Sequence, residues 1–338
     1  MKKTIGIDLG TTMTRFCRKG HGVLLREPSF VAVDAHTYKI LAVGTEAKNL
    51  TGRTPGDMTS FHPLKNGVIA DFDAASTMLR LLAAQSVGSL SGARVIIAFP
   101  VGTSEVEKRA VEEIVLEAGA SGVALVEGPI AAALGAGLPI TAPRGNMVVN
   151  LGGGITEAAV ISLGSIVLSD TLRVGGNDLD EAIFSHLKYN HNILIGKMTA
   201  EELKISSVSA HPGLVKGEAE IRGRNLISGL PAVLTVSSAE LTEAVSEPVE
   251  HLIELIRQTL EKTPPELAGD ICESGITLTG GGALLSGFAD LLNERTGVQI
   301  HVAPAATDCV IGGIGVLLEN ENAGGFLAFR SKQKHSFL

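Results

Sequence analysis

A short pattern occurs twice in this chain of 338 residues, once at its start and once near its middle. Residues 4–16 read Thr-Ile-Gly-Ile-Asp-Leu-Gly-Thr-Thr-Met-Thr-Arg-Phe, and residues 146–161 read Asn-Met-Val-Val-Asn-Leu-Gly-Gly-Gly-Ile-Thr-Glu-Ala-Ala-Val-Ile. Each is an apolar strand, a polar residue, a leucine, a Gly/Thr turn and a second alternating strand, which predicts a β-hairpin with a glycine-rich tip. Two unrelated hairpins are the alternative, but the shared Leu-Gly and Thr positions favour duplication of one α/β domain.

The length and composition agree with two domains. At about 150 residues per domain, the chain is long enough for about two cores. Apolar residues make up 45% of the chain and charged residues 19%, which excludes global disorder. The formal net charge of −8 argues against a nucleic-acid partner, because neutralising phosphates needs a basic face.

The remaining global signals predict a soluble, reduced, cytoplasmic protein. Cys17, Cys272 and Cys309 lie far apart and show no CxxC spacing, so they indicate neither a disulfide framework nor a zinc site. The first residues run straight into an alternating segment without a signal-peptide core. No stretch approaches the ~18 uninterrupted apolar residues of a spanning helix.

Strands and helices alternate along both halves, which predicts α/β architecture around a buried sheet. Strands are expected at residues 94–100 and 276–279, and helices at residues 104–118, at residues 241–262 and from Ala283 onward. Pro248 marks either a kink or the true start of the second of these helices.

We expect a boundary near residues 143–146. Lobe I then spans residues 1–145, lobe II residues 146–320, and a C-terminal tail residues 321–338. The polar, turn-rich stretches at about 31–67 and about 181–236 predict a smaller subdomain inserted into each lobe.

Three glycine-rich turns are candidates for phosphate binding. Glycine at a strand end lets backbone N–H groups approach a phosphate closely, and threonine hydroxyls add donors. The turns are Gly10-Thr11-Thr12, Gly152-Gly153-Gly154 with Thr156, and Thr279-Gly280-Gly281-Gly282-Ala283. One such turn alone is typical of an ordinary tight turn, but three together favour nucleotide binding. None fits the GxxxxGK[ST] pattern, so the chain is not a P-loop enzyme.

Asp8 comes just before the first turn and is a candidate Mg²⁺ ligand. Mg²⁺ keeps several waters beside nucleotide phosphates, so we expect Asp8 to act through water. The alternative is an ordinary aspartate that caps a backbone amide of the turn. The matching residue of the second half, Asn150, carries no charge.

Four motifs in this order resemble the actin-like ATPase superfamily. They are Asp8-Leu-Gly-Thr-Thr, Glu127-Gly-Pro-Ile-Ala-Ala-Ala, Asn150-Leu-Gly-Gly-Gly-Ile-Thr-Glu and Leu278-Thr-Gly-Gly-Gly-Ala-Leu-Leu. Within it, stretches such as Pro63-Leu-Lys-Asn-Gly-Val-Ile-Ala-Asp and Lys262-Thr-Pro-Pro-Glu-Leu-Ala resemble the MreB family of bacterial actins. The resemblance runs from about residue 4 to residue 318. It implies a duplicated actin-like fold of two lobes and four subdomains, with ATP and Mg²⁺ in the interdomain cleft.

Carried over residue by residue, the resemblance implies four sets of nucleotide-binding residues. They are the first phosphate loop (Thr11, Thr12, Met13), the second phosphate loop (Gly152, Gly153, Gly154), the nucleoside-contacting helix (Glu201, Glu202, Leu203, Lys204) and the adenosine loop (Gly280, Gly281, Gly282, Ala283). For Glu201 and Lys204, a solvated ion pair at helical spacing is an equal alternative.

The resemblance also implies two catalytic positions. Glu107 aligns with the carboxylate that positions the attacking water. The motif Ser104-x-x-Glu107 is also a capping box worth about 1 kcal/mol, and the two roles are compatible. Asn150 stands where the family usually has aspartate, and Met13 where it usually has asparagine. An amide is a poor proton acceptor, so we expect ATP binding to persist while hydrolysis is slowed. The resemblance implies a weak ATPase whose hydrolysis is coupled to filament dynamics.

Membrane contact by the family's usual route is not expected. The loop at residues 85–93 offers only Val87 and Leu90, and the N-terminus is too short for an amphipathic anchor. The tail at residues 326–338 mixes Phe and Leu with Arg and Lys, which fits either an interfacial anchor or a frayed terminus.

The resemblance therefore implies an ATP-dependent polymerising cytoskeletal protein that organises cell-wall synthesis and rod shape. Its implied partners are other copies of itself in protofilaments, the cell-wall synthesis machinery and the inner membrane surface. The alternative is a small-molecule kinase on the same fold, for which Glu105 and Glu107 are the candidate bases.

Overall fold

The structure is a computed structural model that describes residues 3–52, 56–214, 217–320 and 323–331. The chain forms two compact units. The first comprises Met1–Arg144, Ile161–Val167 and Thr307–Leu338, and the second comprises Gly145–Val160 and Leu168–Ala306. The chain enters the second unit after Arg144, within the segment where the sequence predicts a boundary. By contrast, residues 307–320, which were expected in lobe II, belong to the first unit.

The first segment of the first unit begins with strand β1 and ends with helix α4. Its elements are β1 (Thr4–Leu9), β2 (Met13–Arg18), β3 (Gly22–Pro28), β4 (Val31–Asp34), β5 (Ile40–Val43), α1 (Gly44–Leu50), β6 (Met58–Phe61), β7 (Leu64–Lys65), β8 (Val68–Ile69), α2 (Phe72–Ser86), β9 (Arg94–Phe99), α3 (Glu105–Glu117), β10 (Gly122–Glu127) and α4 (Gly128–Gly135).

The second unit supplies most of the following elements, and the chain then returns to the first unit. These elements are β11 (Asn146–Leu151), β12 (Thr156–Ser162), β13 (Ser165–Leu172), α5 (Gly176–Asn190), β14 (Ile193–Leu194), α6 (Lys197–Ser207), β15 (Glu218–Asn225), β16 (Pro231–Ser237), α7 (Ser238–Ala244), α8 (Ser246–Lys262), α9 (Pro265–Ser274), β17 (Ile276–Thr279), α10 (Phe288–Thr296) and β18 (Ile300–Val302), followed by α11 (Cys309–Glu319) and β19 (Ala328–Ser331).

The main sheet of the first unit has the order β19-β10-β9-β1-β2-β3. β1, β2 and β3 form an antiparallel meander, whereas β9 and β10 run parallel to β1. β1 and β9 are largely apolar and are buried over residues 5–9 and 95–97, as expected of strands covered on both faces. Ile7 and Phe16 are fully buried in the core that these strands share with α2 and α3.

Helix α11 explains why the chain returns to the first unit. It packs closely on α4 and also contacts β1 and β2. Ile311, Ile314 and Leu317 are buried on it. The prediction placed this helix in lobe II because an apolar helix carries no sequence signal for which of two similar sheets will cover it.

The main sheet of the second unit has the order β13-β12-β11-β17-β18. β11, β17 and β18 are parallel. The order repeats that of the first unit, in which three consecutive strands are likewise followed by two strands, β9 and β10, that run parallel to the first of them. The duplication predicted from the two hairpins is therefore present in the topology.

Each unit carries a smaller sheet within the segment predicted as an insertion. β4, β5 and β6 form one of these sheets in the first unit, and β14, β15 and β16 form the other in the second unit.

Two predicted helices differ from the structure. The segment at residues 241–262 contains the end of α7 and all of α8, with the break at Val245, so Pro248 lies in the first turn of α8, where proline is tolerated. Instead of a helix that begins at Ala283, a single 3-10 turn spans Gly281–Leu284, and α10 begins only at Phe288. No helix among the described residues has the length and apolarity that crossing a bilayer requires.

Candidate functional site

The two glycine-tipped hairpins have the same turn geometry. In the first unit Gly10 N–H donates to the Met13 carbonyl at 3.0 Å, and in the second Gly152 N–H donates to the Ile155 carbonyl at 2.9 Å. A Cβ on either glycine would lie 2.8 Å from that carbonyl oxygen, closer than real Cβ atoms come. The repeat seen in the sequence is thus a repeat of one turn that requires glycine at its first position.

The first loop directs two of its backbone amides away from Ser29. The Ser29 amide donates to the Thr12 carbonyl at 2.9 Å, and the Ser29 hydroxyl donates to the Gly10 carbonyl at 2.6 Å. In a trans peptide the N–H of the next residue points opposite to the carbonyl, and the described residues contain no cis peptide. The amides of Thr11 and Met13 therefore point to the other side of the loop. Met13 lacks the polar side chain that the resemblance leads us to expect, but its backbone amide is still available as a hydrogen-bond donor.

Thr11 also has a structural role in the first unit. Its side-chain oxygen accepts a hydrogen bond from the Gly67 amide at 2.8 Å, and the residue is buried. A hydroxyl that accepts one hydrogen bond keeps its proton for another acceptor, so this bond is compatible with phosphate binding.

The second loop is built in the same way against the start of α5. Gly176 N–H donates to the Gly152 carbonyl at 3.0 Å, and Asn177 N–H donates to the Gly153 carbonyl at 2.7 Å. The amides of Gly153 and Gly154 consequently point away from α5. The backbones are in direct contact here, since a Cβ on Gly175 would lie 2.6 Å from the Gly152 oxygen.

Lys204 joins helix α6 to the start of α5. Its ammonium donates to the Gly176 carbonyl at 2.9 Å and lies 2.8 Å from Asp180 Oδ1. Of the other residues assigned to this helix, Leu203 is buried in the core, Glu201 is half-buried and Glu202 is exposed. The structure thus brings Lys204 to the second loop, whereas the side chain of Leu203 packs inside the protein.

The adenosine loop predicted at residues 280–283 lies against the end of β11. Gly280 has φ +81°, in the left-handed region that favours glycine, and its amide donates to the Ala306 carbonyl at 2.7 Å. A Cβ on Gly280 would lie 2.3 Å from the Leu151 oxygen, and one on Gly282 would lie 2.8 Å from the Leu151 Cβ. Gly281 faces open space, and Ala283 is buried. The loop at residues 280–283 therefore contacts the end of β11, whereas of the set at residues 201–204 only Lys204 reaches the start of α5 beside the second loop.

Asn150 is fixed by two side chains of the second unit. Its amide nitrogen donates to Glu157 Oε2 at 3.3 Å, and its amide oxygen accepts from the Thr279 hydroxyl at 3.3 Å. Glu157 is almost fully buried. This carboxylate beside Asn150 was not identified from the sequence. The available signal was that residues 150 and 157 flank the turn as residues 8 and 15 flank the first one.

Asp8 is part of an ion-pair chain in the first unit. Its Oδ2 lies 3.1 Å from Arg15 Nη1, and Arg15 Nε lies 3.1 Å from Asp308 Oδ1. Asp308 Oδ2 lies 2.7 Å from Arg26 Nη2. Burial raises the pKa of Asp8, against the opposing charge and hydrogen bond of Arg15. The hydrogen bond from Arg26 is the main reason that the pKa of Asp308 is lowered.

These arginines were not identified from the sequence, although hairpin register predicts the first pair. Asp8 and Arg15 are directly opposite each other in the β1–β2 ladder. Asp308 comes from the end of the chain, so only the position of α11 brings it to β2 and β3. The role of Asp8 as a Mg²⁺ ligand stays a prediction, and Arg15 offsets part of the negative charge that would attract the cation.

Glu107 occupies the capping position that the sequence predicts. Its Oε2 accepts from the Ser104 amide at 2.8 Å, and its own amide donates to Ser104 Oγ at 3.3 Å. This reciprocal pair begins α3 and confirms the capping box. Its catalytic role stays a prediction.

The segments considered for membrane contact are partly integrated into the first unit. Val87 and Leu90 are buried in its core, so the two apolar side chains of that loop are not presented to solvent. In the tail, β19 pairs with β10 in antiparallel register, so this part of the tail is not frayed. Residues 332–338 lie outside the described part of the chain.

A family model described as "MreB/Mbl protein" matches residues 2–324 of this chain. The cell shape-determining protein Mbl of Bacillus subtilis (strain 168) is 44% identical over 320 residues, covering 94% of this chain and 96% of that protein. The cell shape-determining protein MreB of Escherichia coli (strain K12) is 46% identical over 323 residues, covering 93% of each chain.

Two solved structures are similar to this chain over nearly its whole length. They are MreB5 of Spiroplasma citri bound to AMPPNP, with a TM-score of 0.88, and the same protein bound to ADP, with a TM-score of 0.89. Each is 35% identical, covering 94% of this chain and 96% of the other. The actin-like fold inferred from the motifs is therefore confirmed. With the hairpins, the duplicated topology and these relatives in agreement, the chain belongs to the MreB/Mbl family.

Proposed function

We propose that this chain binds ATP through its glycine loops and assembles into filaments that determine cell shape. The observation that carries the proposal is the glycine cradle of the second unit, where the Gly152 turn, Gly175 and Gly280 contact neighbouring backbone with no room for a Cβ. Such a cradle, lined by outward-directed amides, suits phosphate oxygens. Support also comes from relatives that are cell shape-determining proteins and from similar structures bound to AMPPNP or ADP.

In this proposal the backbone does most of the phosphate binding. The amides of Thr11 and Met13 serve in the first loop, and those of Gly153 and Gly154 in the second. Lys204 orients the start of α5, and the loop of Gly280 contacts the adenosine. Mg²⁺ would neutralise phosphate charge, with Asp8 holding it through water.

We further propose that hydrolysis is slow. Asn150 contributes no charge and accepts a proton poorly, and its amide is already engaged by Glu157. Glu107 is the proposed carboxylate for the attacking water. Phosphate release from the native chain and from Asn150→Asp should differ, with the variant faster. Equal rates would remove Asn150 from the mechanism.

Filament formation is tested by adding ATP and Mg²⁺ and measuring light scattering, pelletable protein and negatively stained assemblies. Gly280→Ala should weaken ATP binding and polymerisation, because its Cβ would press on the Leu151 carbonyl. Gly269→Ala in α9 is the control, since a Cβ there meets open space and the residue lies outside the predicted nucleotide-binding sets. No polymer from the native chain with ATP bound would refute the filament. ADP production that depends on a small-molecule substrate, without polymer, would instead support the kinase alternative, which the reported relatives do not favour.

We also propose contact with the inner membrane and with the cell-wall synthesis machinery. The burial of Val87 and Leu90 leaves the tail as the candidate anchor. Co-sedimentation with liposomes, with and without residues 332–338, tests it. Equal binding by both forms, or none by either, would end the role of the tail.

A further inference from the structure

Two histidines and a glutamate of the second unit converge on one point away from the glycine loops. His186 lies in the last turn of α5, His191 is the residue that ends this helix, and Glu240 lies in the first turn of α7. At about 1.5 Å per residue, the fifteen residues of α5 place this cluster about 20 Å from the Gly175 contact.

The three side chains share one carboxylate oxygen. His186 Nε2 lies 2.8 Å from Glu240 Oε1, and His191 Nε2 makes a short contact with the same oxygen. The three ligand atoms all lie within 4.8 Å of one another. A tetrahedral ion with bonds of about 2.1 Å has its ligand atoms about 3.4 Å apart, so small side-chain rotations suffice to surround one.

The backbone around the cluster is well anchored. Leu187 and Leu241, the neighbours of His186 and Glu240, are fully buried, and α5 packs on α7. The side chain of Ser237 caps α7 by accepting from the Glu240 amide at 3.2 Å. The rigid positions of the Cα atoms mean that little chain entropy is lost when an ion binds.

The other ring nitrogen of His186 also has a neighbour that suits a metal site. Asn190 lies one turn after His186, and its side-chain amide nitrogen is 3.1 Å from His186 Nδ1. Metal-bound histidines generally have such a partner on their second nitrogen, which fixes the tautomer and the ring orientation. An amide rotated by 180° presents its oxygen to the Nδ1 proton that a metal-bound imidazole carries.

We propose that His186, His191 and Glu240 bind one divalent transition-metal ion of the Zn²⁺ class, with water as the fourth ligand. Two imidazoles and one carboxylate are ligands that Zn²⁺ accepts in open tetrahedral sites. The side chains are 16%, 27% and 31% exposed, which leaves access for the ion and its water. The ion would tie the end of α5 to the start of α7.

Other histidines of the chain provide an internal comparison. His36 lies 3.3 Å from Asp57, and His211 lies 3.1 Å from Glu294. Each is a single histidine beside a single carboxylate. Among the described residues, the cluster at α5 and α7 alone offers three such ligand atoms together.

The test is titration of untagged, chelator-treated protein with Co²⁺, whose visible absorption intensifies in tetrahedral sites. The native chain should bind one equivalent, and Zn²⁺ should displace it. His186→Gln and His191→Gln should each weaken binding by more than about tenfold, and Asn190→Ala by about tenfold. His211→Gln should bind like the native chain. Cys272→Ser, which removes an exposed thiol, should also leave binding unchanged.

Folding of each variant is checked by circular dichroism, and His191→Cys provides a second readout. This substitution keeps a ligand, so it should retain Co²⁺ and add a sulfur charge-transfer band. One equivalent of Zn²⁺ should also raise the melting temperature of the native chain but not of His191→Gln. Lack of tetrahedral Co²⁺ binding by the native chain, or equal binding by the folded glutamine variants, would overturn the proposal.

Discussion

Replacing Asn150 by aspartate tests how the Asn150 amide stabilises the buried carboxylate of Glu157 in the second hairpin. In the native chain the Asn150 amide donates to Glu157 Oε2 at 3.3 Å. Asn150→Asp preserves the shape of the side chain but replaces this donor with a second anionic oxygen at the same distance. An attraction then becomes a repulsion between two carboxylates.

The expected cost is set by Coulomb repulsion and limited by protonation. Two unit charges at 3.3 Å repel by about 1.3 kcal/mol in water and about 5 kcal/mol at an effective dielectric constant of 20. The near-complete burial of Glu157 favours the larger value. Taking up one proton at pH 7 by a carboxyl of pKa about 4.3 costs about 3.7 kcal/mol, which limits the loss. We therefore expect Asn150→Asp to lose about 1–4 kcal/mol of unfolding free energy at pH 7.

Urea unfolding of the nucleotide-free protein without Mg²⁺, followed by circular dichroism, measures this loss. The folded pair in the variant holds a proton more tightly than the unfolded chain, so its stability relative to the native chain should recover as the pH falls. Near pH 4.3 the difference should be below about 1 kcal/mol. The double variant Asn150→Asp/Glu157→Gln reverses donor and acceptor and should recover most of the loss.

Equal stability of Asn150→Asp and the native chain at pH 7 would refute this reasoning. So would a loss that persists at pH 4.3, because it would then not arise from charge. A double variant no more stable than Asn150→Asp would show that the two side chains are not coupled.

Three other predictions concern the first unit and are measured by urea unfolding. Gly313→Ala should lower the unfolding free energy by about 1–3 kcal/mol or prevent folding, because its Cβ would lie 1.8 Å from the Ala131 carbonyl. Gly315→Ala on the same helix should raise the unfolding free energy by about 0.5–1 kcal/mol, because its Cβ would meet open space. Ser104→Ala should cost about 1 kcal/mol by removing the cap of α3; an unchanged value would contradict the capping role. Because the pKa of Asp308 is lowered in the folded protein, its ionised carboxylate adds stability above the unfolded pKa near 4, and this stability is lost as the pH falls through the folded pKa. Asp308→Asn should therefore flatten the acid side of the plot of unfolding free energy against pH.

The two hairpins show how far the sequence could predict the site. Leu-Gly followed by a Gly/Thr turn is a local pattern, and its glycines are required by a contact within the same turn, between Gly10 and Met13 or Gly152 and Ile155. The capping box of Ser104 and Glu107 is equally local. Such features depend on neighbours in the chain and can be predicted before the fold is known.

The unpredicted parts of the site join distant segments. Asp308 reaches Arg15 and Arg26 because α11 packs on α4, and Lys204 reaches Gly176 because α6 lies beside α5. Glu157 was the intermediate case, since its position opposite Asn150 follows from the turn but its burial does not.

The sequence by itself determined the repeated turn, the alternation of strands with helices and the resemblance to bacterial actins. These follow from periodicity, from glycine in tight turns and from motifs read along one dimension. Only the tertiary structure decided which unit receives α11, that Asp308 meets Arg15 and Arg26, that Glu157 is buried, and that Glu240 joins His186 and His191. The physical reason is that an apolar helix can pack on many apolar surfaces and a charged side chain can pair with many opposite charges. Packing of the whole chain selects one partner for each.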